Sequence, residues 1–244
     1  MLAAAALVGC TGHGLHSRSR AGVDSVFEIS ALMEQRRWED AMRRAEQSIE
    51  TVSDFTSYND QSKFEAYIVR GICWYTIGLS KIMLAVPQEE AGVYRYTDLF
   101  SLEGTPEGGA IEFRKAIAEI DQALAMPRRF VAFHDPYFYA ARSHEWLGEF
   151  RLADEKFKEG IAHARDYALA KLVRVLLLYR ALCAVMDAWH TEIAGPANRE
   201  RCLALLERAR THVGEARTSD GSPEGRAAAD RAAAEIDRAA KFFE

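Results

Sequence analysis

This sequence predicts an all-α fold built of antiparallel helix pairs. Three observations predict it. Small and large apolar residues recur at helical spacing, as in Ala153, Phe157 and Gly160, which stand at i, i+4 and i+7 and share one stripe. Few segments alternate apolar and polar residues with β-branched enrichment, so sheets are not expected. The six prolines fall mostly between the helical stretches, where a missing N–H interrupts no helix. The 244 residues suffice to bury a substantial core as one domain or one short repeat array.

The first pair is expected at about 22–35 and 38–52, with Trp38, Ala41, Ala45 and Ser48 marking its second helix. A long helix follows from about 60 to 84. Its partner is delayed until Ala110 and runs to Ala125, so residues 87–108 form an insertion inside a pair. The insertion carries Tyr94, Tyr96 and Phe100 among several acidic residues, framed by Pro87, Pro106, Gly108 and Gly109. Loops of this length in compact domains are often functional or disordered, and the aromatics argue against simple disorder. Two readings stand side by side: Tyr94, Tyr96 and Phe100 contact a groove or partner, or they cover the flank of the longer helices.

A third pair spans about 136–164, turning at Gly148, a residue able to take the left-handed conformation that ends helices. A fourth has a long helix at 167–190 and a second from Asn198 to Ala216. The stretch from Ala168 to Trp189 is strongly apolar, but Lys171, Arg174, Arg180 and Asp187 interrupt it. A membrane-spanning helix needs about 20 mostly uncharged apolar residues, so this segment reads as a central helix buried on most sides. Ser219 to Pro223 is a break, and an alanine-rich helix from Glu224 to Phe243 is the expected cap.

The segment Arg142 to Ile161 resembles the second half of a tetratricopeptide repeat (TPR): turn glycine Gly148, aromatic Phe150, then Ala153, Phe157 and Gly160. Two partial copies support the resemblance. Tyr67, Gly71, Trp74 and Gly78 follow the order of a first repeat helix, and Trp38 with Ala41, Ala45 and Ser48 follows that of a second. The latter departs from the family pattern, because Arg36 stands where the turn glycine belongs and Ala45 replaces an aromatic. The resemblance covers roughly residues 22–214 with irregular period, and residues 22–244 are read as one repeat domain.

The resemblance implies a solenoid of stacked antiparallel helix pairs, capped by the C-terminal helix, with a concave groove lined by the first helix of each repeat. By position that face includes Val23, Val26 and Met33, then Glu65, Ile68, Ile72 and Tyr75, then Asp135, Phe138, Arg142 and Glu145. A mixed apolar and charged groove suits a peptide or an extended protein segment.

Residues 1–21 read as a signal-like segment and a flexible tether. The run Leu7-Val8-Gly9-Cys10 resembles a bacterial lipobox, which implies lipidation of Cys10 after cleavage before it. A signal peptide normally opens with a positively charged region, and none precedes this apolar run. Thr11 to Arg20 is polar, glycine-containing and poor in core formers, as a tether is. A lipid on Cys10 would hold the folded part at a membrane face without a spanning helix. Thr11 after the cysteine, by resemblance to Gram-negative lipoproteins, implies the outer membrane.

Other chemistries find little support. Net charge is −5 with no clustered basic face, so nucleic acid is not expected as a partner. No Gly-rich phosphate loop or nucleophile elbow appears. Cys73, Cys183 and Cys202 match no zinc spacing and read as buried thiols, a Cys183–Cys202 disulfide being the alternative. Asp187 and His190 stand at i, i+3 and would share a metal only with further ligands; His134, His144 and His163 read as satisfied surface or core residues. Arg70 and Arg180, in apolar surroundings, are expected to pair with carboxylates or to snorkel. No cofactor or metal is expected.

These readings converge on a non-catalytic, lipid-anchored adaptor in a bacterial envelope, binding a protein or peptide partner on a concave groove. The alternative is a periplasmic TPR lipoprotein of the kind associated with TRAP transporters, which partners a solute-binding protein or holds a small ligand.

Overall fold

The computed structural model describes residues 17–53, 59–85, 107–126, 135–193 and 198–243. Among these residues the fold is all-helical, without strands. The helices are α1 (Ser17–Glu34), α2 (Trp38–Thr51), α3 (Asp60–Ala85), α4 (Ala110–Leu124), α5 (Pro136–Trp146), α6 (Phe150–Asp166), α7 (Ala170–Ile193), α8 (Arg199–Ser219) and α9 (Pro223–Phe243). Helix α1 begins inside the stretch read as a tether. Cys10, Tyr94, Tyr96 and Phe100 lie outside the described residues, as does the insertion up to residue 106.

The chain divides into two compact units, Met1–Leu147 and Gly148–Glu244. The division falls in the turn at Gly148, so the third expected pair has one helix in each unit.

In the first unit, α1 and α2 are joined by a turn that the local sequence specifies poorly. Arg36 adopts φ 57°, the left-handed region. The N–H of Arg37 donates to the carbonyl of Leu32 at 2.9 Å, and that of Arg36 to Met33 at 3.0 Å. These are the two bonds of a Schellman cap, which ordinarily has glycine at the position of Arg36. Beyond the turn, α2 buries Ala41, Ala45 and Ser48 on one face.

Asn59 opens α3 by accepting from the Ser62 N–H at 2.8 Å, as a helix N-cap does. Helices α3 and α4 pack antiparallel, because glycines let them approach closely. A Cβ on Gly71 would lie 2.5 Å from Ile120 Cγ1, and one on Gly78 would lie 3.0 Å from Phe113. Gly109 sits against the Gly78 carbonyl, where a Cβ would come within 2.8 Å of its oxygen. The seam is flanked by ion pairs from Arg70 to Glu119 (2.5 Å) and Lys81 to Glu112 (2.7 Å). Val26, Ile29, Ala45, Ile68, Ile72 and Ile77 belong to one hydrophobic cluster that draws on α1, α2, α3 and, through Ala123, α4. Helix α3 is long and apolar enough by composition to cross a membrane, but most of that window is buried inside the fold.

In the second unit the turn between α6 and α7 repeats the Schellman geometry. Ala168 has φ 55°; Leu169 N–H donates to Ala164 at 2.9 Å and Ala168 N–H to Arg165 at 3.0 Å. Ala153, Phe157 and Gly160 are buried on α6, as their spacing predicts. The charges that interrupt the apolar run of α7 are paired. Arg174, almost wholly buried, reaches Asp220 and Ser222 at the break before α9, and Arg180 pairs with Asp154 at 2.7 Å. Helix α9 packs on α8 and α7 and buries Ala228, Ala229, Ile236, Ala239 and Ala240. Cys183 Sγ faces the Phe150 carbonyl at 3.8 Å and Cys202 Sγ the Ala188 carbonyl at 3.3 Å; both are buried thiols without a disulfide, as is Cys73. Burial pushes the Cys73 thiol up to about 12, so it is an unreactive core group.

Candidate functional site

The residues assigned by position to a groove fall in the first unit, mainly on α3 and α5. Most of them lie in the packed interior. Ile68 and Ile72 are part of the hydrophobic cluster with Val26. Tyr75 is buried and sets its ring 5.8 Å from Phe113 and 5.4 Å, edge-on, from Tyr139. This contact joins the middle of α3 to the first turns of α5. Phe138 is half-buried, with its ring 5.2 Å from Tyr139. Val23 is buried and Met33 half-buried against the same core.

The charged members of the set are buried as well. Glu65 accepts a bond from Gln61 Nε2 at 2.6 Å within its own helix. Arg142 and Glu145, one turn apart on α5, form an ion pair at 2.5 Å with side chains only 4% and 0% exposed. The Arg142 guanidinium also lies over the Trp146 ring, 5.8 Å from its centroid, and Trp146 stacks on Phe113 at 6.0 Å. Burial raises the Glu145 carboxyl to about 7, against the opposing pull of Arg142. Buried charges are seldom kept without a partner, and here partner and aromatic cover are supplied together. A partner molecule reaching these atoms would first have to displace what covers them.

Asp135 has a local structural role. Its Oδ1 accepts the Tyr137 N–H at 2.8 Å and the Phe138 N–H at 3.4 Å, capping α5, while Pro136 occupies the first helical position. Burial holds this carboxyl up, at about 6.

Among the described residues, Asp187 and His190 gather no third metal ligand. Arg201 lies 4.0 Å from Asp187, and the His190 ring lies 4.9 Å from that of Phe150. Burial raises the Asp187 carboxyl and lowers the His190 imidazole. Among the described residues no three His, Cys, Asp or Glu side chains converge; His134 lies outside them.

One arrangement has no forerunner in the sequence reading beyond Arg180 itself. Asp154 on α6 meets Arg180 on α7 and Arg208 on α8, with His212 close by on α8. The i, i+4 spacing of Arg208 and His212 puts both on one face of α8, but nothing local indicates which helices that face would meet.

No protein-family model matches this chain, and no curated protein or solved structure matches it either.

Proposed function

We propose that this chain is a non-catalytic interaction module of tetratricopeptide-repeat type, tethered by lipid on Cys10 to a membrane face of the bacterial envelope. Its task is to hold a protein or peptide partner there. The observation that carries the reading is the recurrence of one turn. The chain takes the left-handed conformation at Arg36, Gly148 and Ala168, each time just past a helix and just before the next. Short, stereotyped turns of this kind build rows of helix hairpins, and such rows present broad binding faces more often than reaction centres.

The glycine seam between α3 and α4 supports the same reading, because close helix approach at small residues is what the repeat pattern requires. In this reading the buried residues Glu65, Ile68, Ile72, Tyr75, Arg142 and Glu145 set the shape of the wall, and Phe138, half-buried on α5, is the member of the set nearest a partner's reach. The lipid raises the effective concentration of whatever the module holds near the membrane.

A crosslinking pull-down from native membranes, comparing wild type with Cys10→Ala, tests the proposal. The expected result is a specific protein captured by wild type and lost with the variant. Equal capture by both, or capture of nothing by either, would sink the tethered adaptor.

A further inference from the structure

The second unit contains a polar cluster that the adaptor reading does not use. Asp154 on α6 accepts from Arg180 Nε at 2.7 Å and Nη2 at 3.1 Å. Arg208 Nη2, from α8, lies 3.0 Å from Asp154 Oδ1, the oxygen that also takes the Arg180 Nε bond. One turn further along α8, His212 is only 7% exposed. Neither its Nδ1 nor its Nε2 meets a hydrogen-bond partner among the described residues. The charges acting on its ring are those of Arg180, Asp154, Glu215 and Arg208, so it belongs to the same cluster.

Two features of this cluster are costly unless something else completes it. A buried polar group without a partner costs about 1–3 kcal/mol, and such groups in folded proteins call for an explanation. Arg180 and Arg208 both face Asp154, and the Asp187 carboxylate near Arg208 is already accompanied by Arg201 at 4.0 Å, so the site is left net positive. The nearby Arg165–Glu215 pair, at 3.3 Å, is internally neutral and does not offset that excess.

We propose that this seam between α6, α7 and α8 binds a small carboxylate, held by Arg208 and His212 against the fixed Arg180–Asp154 pair. Arg180 already spends two donors on Asp154 and acts as the frame. Arg208 makes one ion pair, to Asp154, and its side chain is half-exposed, so it is the more accessible of the two guanidiniums. A guanidinium fork fits the two oxygens of a carboxylate, and an imidazole N–H supplies a further donor. A monoanion neutralises the net positive charge, whereas a dianion would be repelled by Asp154. Burial and the neighbouring Arg180 hold the His212 pKa down at about 4. The ring is therefore neutral at pH 7, with one donor and one acceptor. An anion beside it must raise that pKa, because the anion favours the charged ring.

The test is a titration of the full chain with sodium acetate, replacing chloride at constant ionic strength, with the His212 ring C–H resonances followed by NMR. His212→Phe assigns the signal. The expected result is a saturable shift, a His212 titration midpoint displaced to higher pH in acetate, and about tenfold weaker binding in Arg208→Gln. The Arg208 side chain is half-exposed, so this variant keeps the core intact, and Arg208→Lys, which keeps the charge and loses the fork, is expected to bind between the two. A shift linear in acetate, or one unchanged by Arg208→Gln, would overturn the site. Saturation by inorganic phosphate without saturation by acetate would overturn its assignment to carboxylates.

Discussion

Arg36 and Ala168 each hold a backbone conformation that suits glycine better. Both are exposed, and both close a helix with the full pair of Schellman bonds. Ala168→Gly removes the Cβ strain and gives up almost no side-chain contact. It should stabilise the second unit by about 1 kcal/mol, read as a higher denaturation midpoint at unchanged slope. Glycines inside helices supply the opposite lesson. Gly71 faces Ile120 so closely that Gly71→Ala must push the side chains apart, at a cost of about 1–3 kcal/mol. Gly214, in the middle of α8, has nothing within 4 Å of an added Cβ. There the same change should stabilise by about 0.5–1 kcal/mol through helix propensity. Urea denaturation of the two variants side by side checks both signs; equal effects would mean the α3–α4 seam is looser than described.

The helices themselves were legible at the scale of elements. Periodicity, prolines and the Gly148 turn place the helices close to their observed bounds, because those signals are local; the exception is α1, which begins at Ser17, inside the stretch read as a tether. The spacing of Gly71 and Gly78 also announces a close helix contact before its partner is known. Burial on α5 was not legible. Arg142 and Glu145 read as groove residues by their position in the repeat resemblance. Arg142 lies over Trp146, which stacks on Phe113 of α4, and no pattern within α5 encodes that contact. The pair has a consequence for pH. The Glu145 pKa in the folded chain, about 7, lies above its ordinary value, so the folded state binds the extra proton. Stability from this group is complete below the ordinary carboxylate range and is lost as pH rises through 7. Asp135, held at about 6, acts in the same direction. His212 works oppositely, its lowered pKa removing stability as pH falls from the ordinary histidine range toward 4. Thermal melts of wild type and Glu145→Gln between pH 5 and 8 should show the decline between about pH 5 and 7 reduced in the variant. An identical pH profile would mean that Glu145 ionises freely in the fold.

At the scale of the whole molecule, the sequence suggested one continuous repeat domain, and the structure divides the chain into two compact units at Leu147 and Gly148. A repeat period carries no signal for such a division, because the same glycine turn serves within a unit or between two. The Asp154, Arg180, Arg208 and His212 cluster was hidden for a related reason: its members come from three helices, and only the fold brings them together. The groove residues of α3 and α5 were found by family resemblance, and the covered positions they occupy depend on tertiary packing that the resemblance did not specify. At this scale the described residues show three helix junctions made by short left-handed turns, at Arg36, Gly148 and Ala168, and the proposed tethered module rests on them. The measurement that tests this most directly is the partition of wild type and Cys10→Ala between membrane and soluble fractions of native cells. The account predicts wild type in the outer-membrane fraction and the variant in the soluble fraction, and wild type found in the soluble fraction would contradict it.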